Sequence, residues 1–403
     1  MRLSVVPPLL AITTAAALTV AAPAWADDPP AGSVPPDQDP FYSAPADIGT
    51  YGPGQVVASR KVTPKAGNLA DTTDAWQISY RTNDSHDRAE LTVTTLLVPK
   101  KAWTGGGERP TVSVQAAEDS TGTQCAPSYG ISSGSLIAAS AVLFAAPLLD
   151  KGWAVAMPDF EGPKSVFMAG PQAGHAVLDG IRAVKNFGTG GVGSASKWAL
   201  NGYSGGAQAT GWAAEMQPSY APDVKLVGVT MGGTPADPGA VARSLDGGIF
   251  SGFEAAATVS LDSEFPEAGI GDLLNDKGRQ AMEDSRNKCL TDLLTGFPFK
   301  KLADYSTVPD PLAVPSVAAM LKKNTMGSAA PAAPVFNYHA NTDEIVPVGQ
   351  ADALVENWCA KGATVQTVRD AIGEHALEAL VRNNDVLTYL SDRFAGKQPP
   401  STC

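Results

Sequence analysis

Apolar positions along this chain fall into short runs separated by longer amphipathic stretches. Trp76-Gln77-Ile78-Ser79-Tyr80 and the segment from Ala89 to Pro99 alternate apolar with polar residues. That is the period of half-buried strands, and Arg81 to Asp87 reads as the hairpin between them. More continuous apolar runs occur at Pro110 to Ala117, Gly152 to Pro158, Lys197 to Asn201, Val224 to Met231, Val335 to Tyr338 and Thr364 to Val368. Such runs suit strands covered on both faces. Helical patterns lie between them. Gly174 to Phe187 carries Val177, Leu178, Ile181 and Val184 on one face, Ala207 to Met216 is rich in alanine, and a last helix is expected from Ala376 to Phe394. Ser135 to Leu149 has no charge and reads as a buried helix, with the lining of an acyl-chain site as its other use. Alternation of strand and helix predicts an α/β fold, a mostly parallel sheet flanked by helices.

Two segments depart from this rhythm. Residues 237–329 have helical patches but no clear strand, and their aromatic and aliphatic residues keep no single period. Lying between two sheet strands, they read as a helical cap or lid inserted between a first core part (48–236) and a second (330–403). At the other end, Arg2, the apolar run Leu9 to Ala22 and the small-x-small site Ala24-Trp25-Ala26 form an export signal over residues 1–26. The run is too short to span a bilayer, so a secreted protein without a transmembrane segment is expected. Residues 27–47, rich in Pro and Asp, read as an extended N-terminal arm.

Removing the signal leaves 28 Lys+Arg (29 less Arg2) against 41 Asp+Glu, a net charge of −13. A surface this acidic repels phosphate backbones, so nucleic acid is not an expected partner. Four cysteines (Cys125, Cys289, Cys359 and Cys403) suit an oxidising destination and allow three disulfide pairings. No C-x-x-C occurs, so neither a zinc site nor thioredoxin-like chemistry is expected.

The pattern G-x-S-x-G appears twice. Gly202-Tyr203-Ser204-Gly205-Gly206 follows an apolar strand and opens a helix, the context in which a serine is held exposed on a sharp turn. Gly130-Ile131-Ser132-Ser133-Gly134 follows a loop-like stretch with no entering strand, so Ser204 is preferred over Ser132 as a nucleophile. Gly188 to Gly193 matches G-x-G-x-x-G but follows a helix and leads into a strand, the reverse of a phosphate cradle.

A serine needs a base, and the base needs an acid to orient it. Among the four histidines, His86 lies in a polar hairpin, His175 opens a helix and His339 closes a buried strand. His375 follows a strand through a short turn and then opens a helix, where a base-bearing loop belongs in the order serine, acid, histidine. Asp343, just past the strand ending at His339, is the expected acid, with Glu344, Asp352 and Asp370 as rivals. Oxyanion donors are expected from the Gly205 N–H and from Glu118-Asp119-Ser120. An acidic Asp119 there would have to use its backbone N–H or be protonated, and a salt-bridged loop carboxylate is the other reading. No metal or organic cofactor is needed for this chemistry.

Ala117 to Ser120, Met157-Pro158-Asp159-Phe160-Glu161-Gly162-Pro163, Gly174 to Ala183, Gly202 to Gly206, Tyr338 to Pro347 and Glu374-His375 together resemble the secretory lipase family of the Candida antarctica lipase A type. The resemblance implies the α/β-hydrolase fold, a Ser204–Asp343–His375 triad and an oxyanion hole at Asp119 and Gly205. It also implies disulfides Cys125–Cys289 and Cys359–Cys403, and a secreted enzyme acting on lipid esters, acylglycerols foremost, at a lipid–water interface. The cap has little clear correspondence, so acyl length does not transfer. A short-chain esterase or acyltransferase, a peptidase, and a non-catalytic binding protein stay open.

Overall fold

The computed structural model describes residues 33–403, so the expected export signal and the start of the arm lie outside the described residues. Nine strands form one sheet in the order β1-β2-β3-β5-β4-β6-β7-β8-β9. The antiparallel edge comprises β1 (Val56–Val62), β2 (Thr73–Asn83) and β3 (Ala89–Pro99), with a one-turn α1 (Leu69–Thr72) between the first two. β3 meets β5 (Ala154–Pro158) antiparallel. From β5 onward through β4 (Thr111–Gln115), β6 (Trp198–Tyr203), β7 (Leu226–Gly232), β8 (Val335–Ala340) and β9 (Val365–Asp370), all pairings are parallel.

Successive strand residues point to opposite faces, which gives the sheet a core on each side. Ile78, Tyr80, Trp198 and Leu200 enter one core, where α4 (Gly170–Phe187) and α5 (Gly205–Tyr220) supply Val177, Ile181, Ala209 and Ala213. Ala75, Leu97, Ala199 and Tyr203 enter the other, covered by α3 (Leu136–Asp150) and α13 (Asn383–Phe394) through Leu148, Leu390 and Phe394. α2 (Pro127–Ser133) and α11 (Val348–Ala360) complete the layers.

Several boundaries differ from the sequence expectation. Residues 33–47 are not extended: they wind into 3-10 turns at Pro36–Gln38 and Pro40–Tyr42. Arg60 anchors them, through Asp39 at 2.7 Å and over the Phe41 ring at 4.1 Å. The final helix breaks at Arg382 into α12 (His375–Val381) and α13. Arg382 there turns back to bond Asp370 and Asp385. Helix α3 is only partly buried, with Leu143 exposed.

Between β7 and β8, residues 237–329 hold α6 (Pro238–Leu245), α7 (Gly252–Glu264), α8 (Asp276–Asp284), α9 (Leu290–Gly296) and α10 (Pro315–Lys323). Their only strand-like pairing among the described residues is the bridge Leu274–Ser306. This insertion has its own core, in which Leu261, Phe265, Leu293 and Met320 pack with Val166, Phe167 and Met168 of the loop after β5. Cys125–Cys289 joins it to the loop after β4, and Cys359–Cys403 ties α11 to the C-terminus.

Candidate active site

Strand β6 ends at Tyr203, and the chain turns sharply into α5 with Ser204 at φ 57°, ψ −127°. Only small neighbours permit this turn: a Cβ at Gly202 would lie 2.2 Å from the Gly206 carbonyl, and one at Gly206 would lie 2.0 Å from that of Gln115. Both obstacles are backbone, which cannot give way. The Ser204 N–H is held by the Gly232 carbonyl at 3.0 Å. The hydroxyl thus stands at the N-terminus of α5, at the C-terminal edge of the parallel strands, where open α/β sheets present their ligands.

Two further strand ends reach the same point. The turn after β8 carries Asp343 and the turn after β9 carries His375. His375 Nε2 lies 2.8 Å from Ser204 Oγ, and its Nδ1 lies 2.7 Å from Asp343 Oδ2. The Tyr203 hydroxyl donates to the His375 carbonyl at 2.5 Å, and the His375 backbone N–H donates to Glu344 Oε2 at 3.1 Å, so the backbone is fixed on both sides of the side chain. Asp343 accepts from the N–H groups of Ile345 and Val346 at 3.0 and 2.7 Å, and His339 Nε2 lies 3.1 Å from it. Burial alone pushes the Asp343 carboxyl up, but donors from His339, His375 and Val346 hold it well below the usual carboxylate range. It is ionised at neutral pH.

The loop after β4 brings Asp119 to the other side of Ser204. Asp119 has φ 47° and is 2% exposed. Its Oδ1 faces Gly205, where an added Cβ would come within 1.8 Å of it. No hydrogen bond reaches that oxygen, and burial pushes the carboxyl up to about 7 although the His375 charge pulls it down. Behind it lie three more buried carboxyls. Glu118 accepts the Phe160 N–H at 3.2 Å, Asp159 accepts the Ser128 N–H at 2.9 Å, and Glu161 accepts from Ser120 Oγ and Ser165 Oγ at 3.1 Å each. Burial raises all of them: Glu118 well above its ordinary value, Asp159 to about 7 and Glu161 to about 8.

The remaining sequence candidates lie elsewhere. Ser132 sits inside α2, donating to the Ser128 carbonyl at 3.0 Å, so the second G-x-S-x-G is a helix and makes no nucleophile turn. His175 does not open α4, which starts five residues earlier; it is buried, with Nδ1 3.2 Å from the Asp84 carbonyl. His86 is paired with Glu267 at 3.0 Å, Asp352 with Arg369 at 2.7 Å, and Asp370 with Arg382. Sequence reasoning missed the contact of His339 with Asp343 and the burial of Glu118, Asp159 and Glu161. Asp159 and Glu161 belong to the segment Met157 to Pro163, where nothing local announces their burial.

A cavity opens from Ser204, Asp119 and Gly205 into the insertion, past Phe167, Phe253, Leu261 and Ile270. No helix among the described residues is long and apolar enough to cross a membrane.

A serine on a strand–turn–helix at the edge of this sheet, under a helical insertion, defines an α/β-hydrolase. The secretory lipase family profile matches residues 131–402. The crystal structure of Candida antarctica lipase A in its closed state superposes with a TM-score of 0.86 at 35% identity, covering 92% of this chain and 89% of that one. A secreted triacylglycerol lipase of Malassezia globosa is 36% identical over 383 residues, which are 91% of this chain and 81% of its own length. A probable inactive lipase of Mycobacterium tuberculosis is 35% identical over 372 residues, 90% of this chain and 83% of its own. The chain belongs to the secretory lipase family.

Proposed function

We propose that this secretory lipase is an extracellular enzyme, exported by residues 1–26, that hydrolyses triacylglycerols and related carboxylic esters through an acyl-enzyme on Ser204. The observation that carries the reading is the unbroken line from Ser204 Oγ through His375 to Asp343, with hydrogen bonds of 2.8 and 2.7 Å. Family membership alone would not suffice, because one relative is named as inactive.

In this reading His375 takes the Ser204 proton as the hydroxyl attacks the acyl carbonyl. Asp343, ionised, fixes the tautomer with Nδ1 protonated and stabilises the imidazolium. The Gly205 N–H at the start of α5 and the Asp119 backbone N–H receive the oxyanion. His375 then protonates the leaving alcohol, and water attacks the acyl-enzyme by the same steps reversed. A neutral Asp119 side chain beside the developing charge avoids the repulsion that a carboxylate would bring. The insertion 237–329 serves as the cap, and its apolar cavity accommodates acyl chains.

Contact with a lipid surface is part of the proposal. Ile372, Leu377, Leu380 and Val381 are exposed, and the last three share one face of the helix that begins at His375. An apolar face beside the active site suits an oil interface better than water. The experiment is labelling with a fluorophosphonate followed by peptide mapping. Stoichiometric modification of Ser204, together with hydrolysis of long-chain triacylglycerol emulsions, is expected; a folded protein that takes up no label would leave a binding function.

A further inference from the structure

The cavity above Ser204 is lined chiefly by hydrocarbon, and one carboxyl in the insertion interrupts it. Glu254, in the first turn of α7, lines the cavity and is 6% exposed, and its Oε1 is buried without a hydrogen-bond partner. Its polar neighbours one turn either way along the chain are engaged elsewhere: Ser251 Oγ donates to the Phe297 carbonyl at 2.7 Å, and Thr258 Oγ1 to the Glu254 carbonyl at 2.7 Å. Burial, and after it the Asp246 charge, push the Glu254 carboxyl up to about 9, so at neutral pH it carries a proton and both donates and accepts.

A buried polar group without a partner destabilises the fold, and a hydrophobic side chain of similar size at this site would remove that cost. We infer that Glu254 is a specificity-determining residue, which recognises an aliphatic hydroxyl on the substrate within the cavity. The inference rests on the reading of Ser204 as the nucleophile and adds a substrate class to it. A hydroxyl that reaches this carboxyl can donate to it or accept from it, whereas a plain hydrocarbon leaves it unpaired. Sites of that kind discriminate against the analogue that lacks the hydroxyl. Two lipid classes present such a group: esters of hydroxylated fatty acids, and partial glycerides with a free glycerol hydroxyl.

The test compares matched pairs in the natural protein, Glu254→Leu and Glu254→Gln. One arm uses p-nitrophenyl stearate against hydroxystearates with the hydroxyl at successive positions; the other uses triolein against diolein. The natural protein is expected to favour the hydroxylated member of one arm by about tenfold in kcat/KM, relative to the ratio in Glu254→Leu. The arm that responds identifies the source. Glu254→Gln, which still donates and accepts, keeps most of the preference, and Glu254→Leu melts at a higher temperature than the natural protein. Equal ratios in the natural protein and Glu254→Leu on both arms would overturn the inference. A turnover-free arm separates it from the nucleophile assignment: in Ser204→Ala, displacement of a fluorescent fatty acid by hydroxystearate and by stearate is compared with and without Glu254→Leu. A preference lost with Glu254 upholds the inference even if Ser204→Ala proves active, and a preference indifferent to Glu254 defeats it.

Discussion

On one flank of Ser204 a single carboxyl, Asp343, collects donors from two histidines and two backbone N–H groups, and its proton is lost far below neutral pH. On the other flank Glu118, Asp119, Asp159 and Glu161 are buried, have fewer donors, and form no ion pair among the described residues; all four are raised. Burial acts on both flanks in the same direction. The donors, together with the deeper burial of the second flank, decide which one ends up charged. In the proposed mechanism the acid behind the base must be an anion, and the wall facing the oxyanion must not be one. Two neighbourhoods of one sheet edge meet those opposite demands with the same functional group.

Four measurements bear on that contrast. Ser204→Ala, which removes the group both flanks serve, should lower kcat by about 10⁶ with the fold intact; near-normal turnover would sink the assignment. Asp343→Asn keeps the shape but not the charge, and should cost about 10⁴ in kcat. A loss below tenfold would mean that the charged flank is dispensable. On the neutral flank, kcat should fall by about tenfold as pH rises from 6 to 9, because Asp119 ionises near 7 beside the oxyanion. In Asp119→Asn, which cannot ionise, that fall should move to higher pH, and an unchanged profile would remove the side chain from the account.

The smallest effect is on stability. Asp119 and Asp159, raised from 3.8 to about 7, and Glu161, raised from 4.5 to about 8, hold protons that the unfolded chain releases near pH 4. Stability is therefore full below those unfolded values and is lost as pH rises toward 8; Asp343, shifted the other way, loses stability only on acidification below about 4. The melting temperature should peak near pH 4 to 5 and drop by roughly 5–10 °C by pH 8. A maximum at pH 8 would contradict the neutral flank.

What could be read in advance follows the same division. Ser204, Asp343 and His375 each stand at a strand end followed by a turn, a local pattern, and the order of the three along the chain selected among rivals. The structure brings those three side chains together. The acidic wall could not be read that way. Glu118, Asp159 and Glu161 look like ordinary loop carboxylates, and only the packing of the arm, α2 and the β5 loop around them excludes water. Helix boundaries failed for a similar reason: nothing local in Ala376 to Phe394 announces a break at Arg382, whose partner Asp370 lies across the turn on β9. The period of apolar residues likewise could not say that α3 would leave Leu143 exposed.

Cys125 sits six residues beyond Asp119, on the same loop after β4, and Cys289 lies near the middle of the insertion. The backbone beside the disulfide is stitched as well, with the Thr121 N–H on the Lys288 carbonyl at 3.0 Å and the Asn287 N–H on that of Thr121 at 3.2 Å. A panel hung only at residues 237 and 329 would swing as a door. This one is also fastened in its middle by the disulfide, and along one face, where Ser260 Oγ donates to the Ser165 carbonyl at 3.2 Å and the Gly170 N–H to Asn324 Oδ1 at 2.9 Å. One fastening point of the insertion and the loop that carries Asp119 therefore share one stretch of chain.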